Sequence, residues 1–425
     1  MRYLLSQGKH VTVVDSRSAP PGMADCKAEF PQVEIYCGEF DVELLCGATQ
    51  LVVSPGVSIN EPAIKEAKRR GVKITGDVDL FSQAVSAPVI AITGSNGKST
   101  VTTLLAEMAE QSGMNVAVGG NLGIPVLDLL DSNVELYIIE LSSFQLETTQ
   151  RLGAWAATVL NISEDHMDRY PSKLAYLQAK QRIFRGCRYV IVNADDILSE
   201  PLMVEGMESI HFGIGKPNLR KFSASTDGSD SKIYFGFEAL INTSDIKIKG
   251  VHNISNALAA LALGMAAGID MSSMLATLKI YSGLKHRCEW VRSVDGVDYI
   301  NDSKGTNVGA TATAIESFGL SGDGKVILIA GGEGKGADFS SLTPVLSDFG
   351  RSVILFGRDA EKIESDLNKA IDIKRASTLE EAVSVAKSLA KQGDTVLMSP
   401  ACASFDMFSN FEKRGDAFID VVNLL

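Results

Sequence analysis

Val89-Ile-Ala-Ile-Thr93-Gly94-Ser95-Asn96-Gly97-Lys98-Ser99-Thr100 is the stretch whose reading decides the fold. Five apolar or β-branched residues read as a buried strand, a short Gly-containing turn follows, and residues 99–112 read as a helix. In that order the backbone N–H groups of the turn and of the helix N-terminus can surround a phosphate. Lys98 can reach β and γ oxygens, and the Ser99 hydroxyl can ligate Mg²⁺. The strict GxxxxGK[ST] pattern is not met, because Ile92 stands five residues before Gly97. An ordinary Gly-containing surface turn is the bland alternative, and the strand, loop and helix in sequence argue against it.

Outward from this stretch, short β-branched runs alternate with helical patterns, which predicts α/β units around parallel sheets. Three domains are expected over residues 1–86, 87–282 and 283–425: a Rossmann-like N-terminal domain, a central P-loop ATPase-like domain and a C-terminal Rossmann-like α/β domain. In the first, residues 11–15 and 50–54 are strand-like, and 60–70 reads as a helix closed by Gly71. Residues 1–7 read as the last turns of a helix closed by Gly8, so the opening strand and Gly-rich loop of a nucleotide-binding unit are expected to be missing. An unpaired edge or a hydrophobic gap is then expected in that sheet. In the second, 136–140, 157–162 and 189–193 are strands and the polar stretch 216–232 is a surface loop or hairpin. In the third, 299–302, 325–330, 352–356 and 395–399 are strands and 378–392 is an amphipathic helix.

The 425 residues are 45% hydrophobic and 22% charged, which places the chain among soluble globular proteins. The most apolar helical stretch, 257–268, is shorter than the roughly 20 residues a membrane span requires. No basic and apolar leader opens the sequence, so a cytoplasmic location is expected. Six cysteines without a CxxC pair suggest neither a disulfide framework nor a zinc site. A net charge of −12 argues against a nucleic-acid partner, whose binding depends on clustered Lys and Arg neutralising phosphates.

Beyond the loop, strand 137–140 ends in Glu140 and continues Leu141-Ser142-Ser143-Phe144-Gln145. A carboxylate at the carboxyl end of a parallel strand beside a phosphate loop suits a metal-holding acid, although an ordinary strand-end Glu is the alternative. The strand 157–162 delivers Ser163-Glu164-Asp165-His166-Met167-Asp168, where His166 reads as a second metal or phosphate ligand. Residues alone give Lys180, on a helix over 173–184, no privilege over a solvated lysine. For His252-Asn253-Ile254-Ser255-Asn256 the bland alternative is a simple helix cap, and for Leu284-Lys285-His286-Arg287 a surface basic pair. Asn301-Asp302-Ser303-Lys304-Gly305-Thr306-Asn307 is too dense in polar groups for turn chemistry alone, and 331–339, with no good helix directly after it, reads as a mobile active-site loop. Cys402 reads as a small packed thiol, and Ser404 and Phe411 as substrate contacts.

Together, residues 92–100, Gly119-Gly-Asn-Leu-Gly123, 140–147, 161–168, 252–256, 301–304 and Ser399-Pro-Ala-Cys-Ala-Ser404 resemble the Mur ligase family over nearly the whole chain, in its D-glutamate-adding branch. The resemblance implies an ATP- and Mg²⁺-dependent ligase of cell-wall synthesis that converts a carboxylate to an acyl phosphate and then to an amide. It implies UDP-N-acetylmuramoyl-L-alanine and D-glutamate as substrates. It assigns Gly94, Asn96, Gly97, Lys98, Ser99 and Thr100 to the phosphates, and Asn256, Arg287 and Asp302 to the rest of the nucleotide. Ser99, Glu140, His166 and a carbamylated Lys180 would hold two Mg²⁺ ions, with Lys98, Glu140, His166 and Lys180 as the catalytic set. Asn121, Ser142 and Gln145 fall to the muramoyl-alanine side. Asp15, Ser16, Arg17, Ser54 and Gly56 fall to the uridine end, and Lys304, Thr306, Lys335, Ser404 and Phe411 to D-glutamate. A monomer is expected. A sibling amide ligase or a non-catalytic nucleotide-binding module would share the loop. The first is disfavoured by Ser142-Ser-Phe-Gln-Leu-Glu147 and the lack of an Asp-Asn-Pro-Arg segment, the second by Glu140, His166 and Lys180.

Overall fold

A computed structural model describes residues 1–163, 165–167, 169–225, 231–248, 250–321, 324–367 and 371–425. Its first strands, β1 (Thr12–Asp15), β2 (Glu34–Cys37), β3 (Gln50–Val52) and β4 (Lys73–Thr75), form two separate parallel ribbons, β1 with β2 and β3 with β4. All four residues of β1 are only half buried. The helix Pro62–Arg69 supplies half of the small core here, where Ala63, Ile64 and Ala67 pack with Leu45, Val53 and Val72.

Nine strands build the central sheet: β5 (Val89–Thr93), β6 (Val116–Gly120), β7 (Leu136–Glu140), β8 (Ala156–Val159), β9 (Tyr189–Asn193), β10 (Glu208–Ile214), β11 (Asn218–Ala224), β12 (Lys232–Gly236) and β13 (Glu238–Asn242). Their order is β13-β12-β11-β10-β9-β8-β5-β7-β6, parallel from β6 to β11 and antiparallel beyond. Every residue of β5, β7 and β8 is buried, which is why these strands read as unbroken apolar runs. The two faces divide with period two: Ile90 and Ile92 join the core beneath the helices Lys98–Gln111 and Val251–Ala267, while Val89 and Ala91 join the core containing Leu146 and Tyr176. Because β7, β5 and β8 are neighbours, their carboxyl ends bring the phosphate loop, Glu140 and the chain after β8 side by side.

Of the surface loop or hairpin expected over 216–232, the hairpin is the form seen, β11 running antiparallel to β12, but it is built into the sheet and not confined to the surface. β11 pairs with β10 as well as β12, and Phe222, Ser223 and Ala224 are buried. The exposed polar residues Asn218 and Arg220 at its start hide this pattern in the sequence. Residues 226–230 lie outside those described.

The third sheet contains β14 (Glu289–Val294), β15 (Val297–Asn301), β16 (Val326–Gly331), β17 (Gly350–Phe356), β18 (Ile373–Arg375) and β19 (Thr395–Met398) in the order β14-β15-β19-β16-β17-β18. All pairs are parallel except β14 with β15. Among the described residues no helix is long and apolar enough to cross a membrane.

Candidate active site

The loop after β5 is held by the chain leaving β8. Asn161 Oδ1 accepts from Asn96 N at 2.8 Å, Asn161 O from Ser95 N at 2.9 Å, and Ser163 O from Ser95 Oγ at 3.0 Å. Gly97 caps the helix Lys98–Gln111 at φ 81°, and a Cβ there would stand 2.4 Å from Asn256 Oδ1. Both the left-handed backbone and the close neighbour demand glycine.

Two lysines converge on this loop. Lys98 Nζ donates to Gly94 O and Ser95 O, each at 2.9 Å. Lys180, which the residues alone would leave in solvent, is buried and donates to Gly94 O at 2.8 Å and Thr93 Oγ1 at 3.2 Å. Burial lowers the pKa of Lys98, and that of Lys180 falls well below the ordinary lysine value, through burial first and then the charge of Lys98. Glu140 and Asp165 act in the opposite direction on both.

Glu140, at the end of β7, is buried; its Oε1 accepts from Asn121 Nδ2 at 2.7 Å, while Oε2 is buried without a hydrogen-bond partner among the described residues. A lone buried carboxylate oxygen beside cationic side chains is suited to receive a metal ion or a donor. His166 adopts φ 57°, is half exposed, and its ring lies 4.7 Å from that of Phe144. Glu164 and Asp168, read with it as an acidic cluster, lie outside the described residues. Among the described residues no group of three or more His, Cys, Asp or Glu is arranged to hold a metal. A single buried carboxylate such as Glu140 fits Mg²⁺, which is commonly held by one or two carboxylates and completes its shell with phosphate oxygens and water. Ser99 Oγ accepts from Arg287 Nη2 at 2.9 Å.

A cavity of about 290 Å³ opens beside the loop, lined by Asn96, Gly97, Thr100, Asn253, Asn256, Arg287, Asp302 and Lys304 among others. Arg287 and His286 are not the surface pair of the bland alternative: burial lowers the pKa of Arg287, and His286 is buried against Asn301. Nor is His252-Asn253-Ile254-Ser255-Asn256 a helix cap, since Gly250 occupies that position with no side-chain cap bond. His252 instead approaches Ser317 Oγ at 2.7 Å, and burial pushes its pKa down to about 4. Burial raises the Asp302 carboxyl to about 6, although it accepts from Ser399 Oγ at 2.7 Å and Cys288 N at 3.2 Å.

At the far side of this cavity the Lys304 ammonium lies 4.1 Å from the centre of the Phe411 ring, and Thr306 N donates to Lys304 O. Ser404 is buried in the chain after β19; Lys335 is exposed at φ 51°, 5.9 Å from the Phe405 ring. The loop carrying Lys335 is anchored rather than loose: Glu333 and Ala403 exchange backbone bonds at 2.9 and 3.0 Å, Gly334 N donates to Asp359, and Phe339 is fully buried. Cys402 is a buried thiol whose pKa burial pushes up to about 12. Sequence reading missed Arg414, whose buried guanidinium holds Ser303 O, Ser303 Oγ and Cys402 O; one arginine on the helix Phe411–Asn423 carries no signal of this.

The residues expected at the uridine end lie apart from the loop, on the first ribbons. Asp15 and Arg17 pair at 2.6 Å, and Val57 N closes the turn onto Ser54 O, with Gly56 within it and Ser16 exposed after β1. Ser142 and Gln145 satisfy each other in a capping box at the start of the helix Ser143–Thr148.

Family models match this chain in three consecutive pieces: a Mur ligase MurD-like N-terminal domain at residues 1–76, a Mur ligase middle domain at 92–264 and a Mur ligase glutamate ligase domain at 286–402. The chain belongs to the Mur ligase family. It is 56% identical over 422 residues to a UDP-N-acetylmuramoylalanine–D-glutamate ligase of Marinobacter nauticus, covering 99% of this chain and 94% of that one. It is 53% identical to the enzyme of that name from Pseudomonas aeruginosa, over 100% and 95%. The Mur ligase fold recurs in a pseudomurein peptide ligase type C from Methanothermus fervidus, with TM-score 0.60, 19% identity and 93% of each chain covered. It recurs too in a UDP-N-acetylmuramate–alanine ligase from Thermotoga maritima, with TM-score 0.59, 17% identity and coverage of 100% and 95%.

Proposed function

We infer that this Mur ligase joins D-glutamate to UDP-N-acetylmuramoyl-L-alanine in an ATP-dependent reaction through an acyl phosphate, making a peptidoglycan precursor. The observation that carries the reading is that Lys304, stacked on Phe411, lines the same cavity as Asn96 and Thr100 of the phosphate loop. One cavity then serves both phosphoryl transfer and delivery of the amine. Similarity above 50% to enzymes named for D-glutamate selects the amino acid.

In this reading the units span residues 1–86, 87–282 and 283–425, and the enzyme works as a cytoplasmic monomer. Gly94, Asn96, Gly97, Ser99 and Thr100 cradle the phosphates while Lys98 exchanges its loop carbonyls for phosphate oxygens. Asn256, Arg287 and Asp302 hold the remainder of the nucleotide. Ser99, Glu140, His166 and Lys180 as its carbamate would hold two Mg²⁺ ions, and such ions would supply positive charge against the transferring phosphoryl group. The lowered pKa of Lys180 supports the carbamate, because only the neutral amine adds CO₂, forming an N–C bond and releasing a proton. Asp15, Ser16, Arg17, Ser54 and Gly56 meet the uridine end, and Asn121, Ser142 and Gln145 the muramoyl-alanine. Lys304, Lys335 and Ser404 grip the carboxylates of D-glutamate beside Thr306 and Phe411, so that its amine faces the activated carbonyl and inorganic phosphate departs.

The test is phosphate release from ATP with UDP-N-acetylmuramoyl-L-alanine, comparing D-glutamate with L-glutamate, L-lysine and meso-diaminopimelate. Release that depends on D-glutamate alone is expected, and equal or better release with another amino acid would overturn the reading.

A further inference from the structure

Arg169 stands three residues after His166, and the His166 carbonyl accepts both Arg169 N and Tyr170 N, at 2.9 and 3.0 Å. Its guanidinium crosses from the central sheet to the first ribbons. Nη1 donates to Pro55 O at 3.0 Å and Nη2 to Val57 O at 3.2 Å, both in the turn after β3. Nη2 also meets Glu147 Oε2 at 2.6 Å, and the pair is 13% and 10% exposed. The guanidinium carbon lies 4.3 Å from the centre of the Phe144 ring, the same ring that neighbours His166. Both Arg169 and Glu147 border a groove of about 1060 Å³ whose lining includes Ile59 and Asn60.

One side chain therefore touches the turn at Ser54–Val57, the helix capped by Ser142, and, through Phe144, the His166 ring. Only a planar guanidinium can serve two carbonyls and a carboxylate while lying against an aromatic ring; a lysine ammonium can replace its charge but not its fork. A purely structural strap between the two parts would need none of the link to His166.

We propose that Arg169 is a positioning residue that couples filling of the UDP-substrate site to binding at the metal and nucleotide site. The inference rests on the proposed function, in which the Ser54–Gly56 turn meets uridine and His166 holds Mg²⁺. A substrate that fixes the turn fixes the Pro55 and Val57 carbonyls, hence the guanidinium, hence the Arg169 and Tyr170 amides and the His166 carbonyl they bind. The second ligand then meets His166 already positioned, and the effect is reciprocal.

Calorimetry on the full chain tests this, measuring the affinity of a non-hydrolysable ATP analogue with Mg²⁺, with and without saturating UDP-N-acetylmuramoyl-L-alanine. In the unaltered chain the UDP-substrate is expected to tighten nucleotide binding by about 5–150-fold, the usual range of coupling between sites. In Arg169→Lys the factor is expected to fall to about one, with little change in melting temperature. The double variant Arg169→Met with Glu147→Leu, which avoids leaving a buried carboxylate unpaired, is expected to lose coupling in the same way. A coupling factor equal to that of the unaltered chain in both variants would overturn the proposal, even if melting temperature drops, and so would an unaltered chain with no coupling. Because binding is read without turnover, a chain that couples its ligands yet fails to consume D-glutamate would count against the proposed reaction and not against Arg169.

Discussion

Lys98→Met tests the two-lysine arrangement most directly. Lys98 and Lys180 share Gly94 O at 2.9 and 2.8 Å, so their nitrogens are at most about 5.7 Å apart. At an effective dielectric of about 20, two unit charges at that separation repel by about 3 kcal/mol. Lys98 also makes two charge-assisted bonds, to Gly94 O and Ser95 O. If both pass to phosphate oxygens in the transition state, at about 1.5–3 kcal/mol each, their loss should slow ligation by roughly a hundredfold to ten-thousandfold. The same substitution should move Lys180. With the neighbouring charge gone its pKa rises, burial still holding it below the ordinary value, and less of it is the neutral amine at a given pH. Formation of a Lys180 carbamate from ¹³C-bicarbonate, followed by NMR, should therefore begin at higher pH in Lys98→Met than in the unaltered chain. Phosphate release within tenfold of the unaltered rate, or carbamate onset at an unchanged pH, would refute the arrangement.

Glu140→Gln keeps the bond from Asn121 within reach but removes the charge, and ligation is expected to fall by at least about a hundredfold in steady-state phosphate release at saturating Mg²⁺. Turnover close to normal would exclude Glu140 from the site. Lys180→Ala should lose ligation and recover part of it with added short carboxylic acids; no recovery, together with an unmodified Lys180 by mass spectrometry at high bicarbonate, would remove the carbamate. Asp302, raised to about 6, should weaken nucleotide binding as pH falls through that value, because the protonated carboxyl no longer accepts at both oxygens, and Asp302→Asn should flatten the calorimetric pH profile. Its effect on folding has the opposite sign. The folded value lies above the unfolded value of about 3.9, so its contribution to stability is present at low pH and lost as pH rises from about 4 to about 6.

The central sheet was legible where burial is two-sided: β5, β7 and β9 are continuous apolar runs with sharp ends, and a loop of required composition follows the first. β11 was not, because its polar first half is exposed and only its last three residues enter the core. The positions of the Gly-containing loop after β5 and of Glu140 could be read from local order alone, since each sits at the end of its own strand. Lys180 could not. Its burial arises from tertiary packing of the helix Lys173–Gln181 against the loop, and its local pattern is that of any surface lysine; only family resemblance singled it out. Arg169 and Arg414 illustrate the same limit, each holding carbonyls more than ten residues away in sequence through a side chain with no local signature.

The helix Val251–Ala267 runs 17 residues, about 25 Å, and everything from Ala257 to Gly264 is buried in the central core, while Asn253 and Asn256 at its beginning face the nucleotide cavity. That wall of the cavity is thus the tip of an embedded rod, too closely packed to shift by itself. Arg287, Asp302 and Ala314 opposite it belong with the third sheet, and cross-links from Arg287 to Ser99 and from His252 to Ser317 span the gap. One wall of the cavity is thus set in the buried rod of the central sheet and the other is carried by the third sheet, so any widening of the cavity must break the Arg287–Ser99 and His252–Ser317 bonds and not deform the rod.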